Sequence, residues 1–146
     1  MITHEEAEMK FLIVEDDLNS RLLLEVYLSP YGTVNTARNG QEAVAAYVEA
    51  LDKGEPFHLI CMDIMMPEMN GHEAMSRIRQ IERDRDIDLS SRAKVIMTTA
   101  LKDNINAQKA FYEEGCDAYL VKPIKKQAVT DWLERLGLAF GQMNLN

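Results

Sequence analysis

Apolar and polar positions follow two rhythms along this chain, about 2 residues for strands and about 3.6 for helices, and the rhythms take turns. The run "KFLIVE" (10–15) is short, apolar and bounded by charge, which predicts a buried strand. "LNSRLLLEVYLSPYG" follows with Leu22, Leu23, Val26 and Tyr27 at helical spacing, closed by Pro30 and Gly32. "TVNTAR" (33–38) alternates as a strand, and "NGQEAVAAYVEALDKG" returns to the helical pattern until Gly54. "FHLICMD" (57–63) is the third strand; "NGHEAMSRIRQIERDRD" carries Met75, Ile78 and Ile81 into a charged end that reads as solvated. "AKVIMTTA" (93–100), the helical "NINAQKAFYEEG", "DAYLVKP" (117–123) and "KKQAVTDWLERLGL" complete the series.

Five strands alternating with five helices predict an α/β fold, a doubly wound parallel sheet covered on both faces. With 146 residues, 47% of them apolar, the chain holds one domain with a single sizeable core. No apolar run approaches the roughly 20 residues of a membrane span, and the acidic N-terminal segment lacks a signal-peptide pattern, so a cytoplasmic protein is expected. A net charge of −8 argues against a nucleic-acid binder. Cys61 and Cys116 match neither a disulfide framework nor a zinc spacing and read as packed thiols.

In open parallel sheets, ligands sit outside the carboxyl ends of the strands. Here those ends carry Glu15-Asp16-Asp17, Asp63, Thr98-Thr99 and Lys122-Pro123, whereas the opposite ends carry no comparable set. Carboxylates gathered in a partly dry cleft repel one another by roughly 4 kcal/mol per pair at about 4 Å and an effective dielectric of about 20. They need a cation, and oxygen ligands without His or Cys favour Mg²⁺, which also accepts phosphate oxygens. Lys122 can reach the same phosphate, and Thr99 can donate a hydroxyl hydrogen bond. Phosphoryl transfer is the chemistry implied, with Asp63, central on the third strand, as the nucleophile that forms an aspartyl phosphate.

From about Lys10 to Leu138 the sequence resembles the receiver domain of two-component response regulators, similar to the stand-alone chemotaxis type. The resemblance rests on the acidic pair in "FLIVEDD", the block "MDIMMPEMNG", the strand "VIMTTA" and the run "AYLVKP". It implies a flavodoxin-like sheet of order 2-1-3-4-5, with residues 1–9 and 139–146 as tails around a 10–138 domain. It implies Asp63 as phosphoacceptor, and Asp16, Asp63 and the Met65 carbonyl as direct Mg²⁺ ligands, with Glu15 acting largely through coordinated water. Thr99 matches the switch hydroxyl, Tyr119 the switch aromatic, and Lys122 the phosphate-pairing lysine, whose bond to the following proline is cis in many relatives. Two departures stand out: Glu15 where many relatives have Asp, and Asn70 where an Asp is frequent.

A histidine kinase or phosphotransfer protein is the expected donor, and a downstream protein the expected target, reached through the fourth helix, fifth strand and fifth helix with Lys102, Lys125 and Lys126. The chain would then be a signalling phosphoacceptor acting without nucleic acid or membrane, and a single-domain regulator, since only "AFGQMNLN" follows Leu138. Met65 and Leu101, which flank the path of hydrolytic water in the family, are apolar here and imply slow self-dephosphorylation. A dedicated phosphatase of the haloacid-dehalogenase type would need an acid where Met65 stands. Neither GxxxxGK[ST] nor GxGxxG occurs, and a binding module independent of phosphorylation would not need to retain the acids and lysine. Asp17 reads as a helix cap. Thr98 alternates away from Thr99, His58 and His72 read as structural, and the methionines at 62, 65, 66 and 69 read as packing.

Overall fold

A computed structural model describes residues 8–100 and 115–139. The segment expected to form the fourth helix, with Leu101 and Lys102, lies outside the described residues, as does most of each tail. The strands are β1 (Met9–Val14), β2 (Gly32–Ala37), β3 (Leu59–Asp63), β4 (Lys94–Thr99) and β5 (Ala118–Val121). The helices are α1 (Leu18–Leu28), α2 (Gly40–Asp52), α3 (Gly71–Asp84) and a C-terminal helix, Lys126–Arg135. All five strands run parallel in the order β2-β1-β3-β4-β5, the expected arrangement.

The period-two alternation of the strands sorts their side chains into two cores. Leu12, Val14, Ile60, Met62, Val95 and Met97 face α2 and α3, where Tyr47, Met75 and Ile78 meet them. Phe11, Ile13, Leu59, Cys61, Ile96 and Ala118 face the opposite way, against Leu24, Leu28, Val129 and Leu133. The central strand β3 is buried at every residue, as expected of a strand covered on both faces. Because β1 pairs with both β2 and β3, the chain reverses its direction of winding there, and the crevice opens above the ends of β1 and β3.

Two sequence expectations change in the folded chain. In α1, Leu24 and Leu28 form the buried stripe, whereas Leu22, Leu23 and Val26 are exposed together with Leu18. The helix is apolar nearly all round, so spacing alone could not choose its inner face. The charged end of α3 is not wholly solvated: Glu82 is fully buried. It accepts hydrogen bonds from the Tyr47 hydroxyl, the Ala93 N–H (3.0 Å) and Arg79 (2.8 Å). A buried carboxylate persists only with such partners. Its place on the stripe of Met75 and Ile78, four residues beyond the latter, was the signal that it would face inward.

Candidate functional site

The acidic crevice is built from three strand ends. Glu15 leaves β1 with its N–H donating to the Ala37 carbonyl (3.0 Å), which aligns it at the sheet edge. Asp17 caps α1 by accepting from the Ser20 N–H at 2.8 Å, and that bond holds its carboxyl below the ordinary range. The cap reading of Asp17 therefore holds, and the carboxylate is directed at the helix rather than into the crevice. Arg21, in the first turn of α1, reaches back to the Glu15 carbonyl (2.9 Å).

Asp63 ends β3, where the Ile64 N–H donates to the Thr98 carbonyl at 3.0 Å. The following loop closes when the Gly71 N–H donates to the Ile64 carbonyl at 2.9 Å. Asn70 then opens α3 with a reciprocal capping box to Glu73 and is not part of the acidic cluster. Gly71 fits so tightly that a Cβ there would lie 2.4 Å from the Asp63 carbonyl oxygen. The glycine is thus required by the approach of α3 to the strand that carries the acid.

Lys122 follows β5, its N–H donating to the Thr99 carbonyl (2.7 Å), and the Lys122-Pro123 bond is cis. Its ammonium donates to Glu15 Oε1 at 3.0 Å and stands 3.5 Å from Asp63 Oδ2. Sequence reasoning placed Lys122 near phosphate and did not foresee this pairing with Glu15. Asp63 is only 5% exposed, and the pKa of its carboxyl rises from 3.8 to about 7. Burial is the main cause and the Glu15 charge the next, opposed by Lys122 and by the Met65 backbone N–H. Burial also pulls the Lys122 ammonium down, but its bonds and charge contacts with Glu15 and Asp63 leave the net shift upward.

The remaining candidates occupy the rim. Thr99 is buried and its Oγ1 donates to the Ala100 carbonyl (3.0 Å). Thr98, not Thr99, pairs with Asp63 in register, and its buried Oγ1 has no hydrogen-bond partner among the described residues. Tyr119 is half-buried beside its strand partner Met97. Met65 is 56% exposed on the loop after β3. His58 serves the sheet, its Nδ1 accepting from the Lys10 N–H at 2.9 Å.

Among the described residues, Glu15, Asp16 and Asp63 bring one carboxylate oxygen each within 4.8 Å of the others. Asp16 is exposed, so the cluster is open on one side, and its hard oxygen donors fit Mg²⁺ better than a softer metal. A parallel sheet with three acids and a lysine gathered at its topological switch point defines a class of α/β domain whose ligand crevice is acidic and suited to a hard cation. The comparisons with known proteins agree. The family model for the response regulator receiver domain matches residues 11–134, and the chain belongs to that family.

Relatives include the transcriptional regulatory protein ResD of Bacillus subtilis, 34% identical over 84% of this chain and 45% of ResD. The two-component response regulator ARR22 of Arabidopsis thaliana is 31% identical over 86% of this chain and 81% of its own length. The yeast osmosensing histidine protein kinase SLN1 matches at 32% over 83% of this chain but 9% of its own, so the chain spans less than half of several curated relatives. A co-crystal structure of the Saccharomyces cerevisiae histidine phosphotransfer protein Ypd1 with the receiver domain of Ssk1 superposes with a TM-score of 0.74, 29% identity and 89% coverage of both chains. The receiver domain of the sensor histidine kinase PA1611 from Pseudomonas aeruginosa, solved with magnesium in its active-site cleft, gives 0.70 and 26% over 89% of this chain and 98% of that one. Among the described residues no helix is long and apolar enough to cross a membrane.

Proposed function

We propose that this receiver domain accepts a phosphoryl group on Asp63 from a phosphohistidine of a histidine kinase or phosphotransfer protein. The observation that carries the reading is the pairing of a buried, central Asp63 with Lys122 at 3.5 Å inside an acidic cluster. The Asp63 carboxylate oxygen attacks phosphorus, the P–N bond breaks, and the electron pair leaves with the imidazole of the donor. Lys122 favours the ionised, nucleophilic form of Asp63 and offers a positive charge to the transferring oxygens. Asp16, Asp63 and the Met65 carbonyl would hold Mg²⁺ directly, with Glu15 behind them. When bound, that ion neutralises charge on the phosphoryl oxygens.

Once phosphate stands on Asp63, Lys122 must choose between it and Glu15, and Thr99 can exchange its bond to the Ala100 carbonyl for one to a phosphate oxygen. Tyr119, already half-buried, fills the space that Thr99 leaves. These exchanges bias a pre-existing equilibrium by the difference in contacts between its two states. The readout surface includes β5 and the start of the C-terminal helix, where Lys125 and Lys126 are exposed. A protein donor has an exposed apolar face at hand on α1, formed by Leu18, Leu22, Leu23 and Val26, of which Leu23 also lines a groove shared with Glu15 and Lys122.

Incubation with acetyl phosphate and Mg²⁺ should give stoichiometric, base-labile labelling of the wild type and none of Asp63→Asn. Labelling that persists in that variant would move the acceptor elsewhere, and steady turnover of small phosphoesters would support an enzyme instead.

A further inference from the structure

The amino-terminal edge of the sheet, opposite Asp63, holds a second recess. A cavity of about 370 Å³ opens between the last turns of α3 and the entry to β4, lined by Arg79, Arg83, Leu89, Arg92, Lys94 and Asp117. Four cations and one carboxylate therefore converge on one recess of a chain whose net charge is −8. Arg79 and Arg83 are one turn apart on α3, and Arg92 and Lys94 are two residues apart at the strand entry, so each pair presents to one side.

The four cations are not equivalent. Arg79 is fixed in the floor: it donates to Glu82 (2.8 Å), to the carbonyls of Ala93 (2.8 Å) and Gly115 (3.0 Å), and to Asp117 (3.3 Å). The Asp117 carboxylate is itself held by the Val95 N–H at 2.8 Å. Those two carboxylates answer the charge of Arg79. The other three cations meet no carboxylate among the described residues. Arg83 donates to the neutral amide oxygen of Gln80 (2.8 Å), and Arg92 Nε to the Ile87 carbonyl (2.9 Å). No ion pair or hydrogen bond holds the Lys94 ammonium among the described residues. Asp84, next to Arg83 in the chain, accepts from Gln80 (2.8 Å).

We propose that this recess binds a small phosphate ester of nucleoside diphosphate size. The two guanidinium forks of Arg83 and Arg92 and the ammonium of Lys94 supply bidentate and point-charge contacts to adjacent phosphates. The volume lies in the range of small-molecule sites. Leu89, 77% exposed, offers an apolar contact to the non-phosphate part of the ligand. The recess and Asp63 lie at opposite ends of the strands, so binding and phosphorylation are separable.

The test uses the whole chain in EDTA, titrated calorimetrically with ADP, inorganic pyrophosphate and, as a control for ionic strength, potassium sulfate. Saturable one-to-one binding of ADP and pyrophosphate, weakened by about tenfold or more in Arg83→Ala/Lys94→Ala and unchanged in Asp63→Asn, is the expected result. Urea unfolding of the double variant, expected to match the wild type because Arg83 and Lys94 hold no buried charge, separates lost binding from lost folding. Absence of saturable binding at millimolar probe, an equal response to sulfate, or binding that survives the double variant would each overturn the proposal.

Discussion

Lys122 Nζ donates to Glu15 Oε1 at 3.0 Å, joining the end of β5 to the end of β1 across the two strands that separate them. The bond spans 107 residues of sequence and leaves the ammonium 3.5 Å from Asp63. One lysine thus relieves the repulsion between two buried acids, and any ligand that adds charge to Asp63 competes for it.

Asp63 has a folded-state pKa raised from 3.8 to about 7, so its protonated form favours folding. That contribution is complete below about pH 4 and is lost as pH rises through 7. In EDTA, urea unfolding should show stability falling across this window. Asp63→Asn should remove that dependence and be more stable than wild type by about 1–3 kcal/mol at pH 8, allowing for the part that Lys122 offsets. Added Mg²⁺ should stabilise the wild type more than the variant. Equal Mg²⁺ stabilisation of both would place the cation elsewhere.

Glu82→Ala should destabilise the domain by about 3–5 kcal/mol, because Arg79 is then left in the interior without its main counter-charge. Tyr47→Phe deletes one hydrogen bond to that carboxylate and should cost about 1–3 kcal/mol. The two losses should be strongly non-additive in a double-mutant cycle read by urea denaturation. Additive losses would show that the Tyr47 hydroxyl and Glu82 do not act together.

Substitutions at the start of α3 should separate capping from positioning. Asn70→Ala should cost about 1 kcal/mol and Asn70→Asp almost nothing, since either side chain can cap. Gly71→Ala should cost more than Asn70→Ala and slow labelling by acetyl phosphate, because the added methyl meets the backbone of Asp63 and Ile64. If Gly71→Ala were labelled at the wild-type rate, the close approach of α3 would not govern the position of Asp63.

The phosphoryl lifetime should respond to Met65, which is exposed two residues beyond Asp63. Polar residues at positions 65 and 101 together should hasten loss of label several-fold by holding attacking water. An unchanged decay rate in that double variant would count against any role of residues 65 and 101 in setting the lifetime.

Alternation of apolar runs was enough to place the described strands and helices within a few residues, because burial on both faces of a parallel sheet demands continuous apolar strands such as "LICMD". The grouping of charged residues at the carboxyl edge was equally legible: Glu15, Asp16, Asp63 and Lys122 are polar where each strand ends, and strand direction alone brings them to one side. What the chain could not declare by itself was orientation. Three leucines in succession on α1 give no preference for one inner face, and only docking against β1 and the C-terminal helix selects Leu24 and Leu28. Partnership was hidden too, since Lys122 and Glu15 meet only when four strands are paired in register. Glu82 reads as one acid in a charged helix end until folding brings Tyr47, Arg79 and Ala93 around it. Periodicity records how each segment meets a core, a local property of sequence; the pairing of charges depends on distances between segments, and these exist only after the strands are ordered.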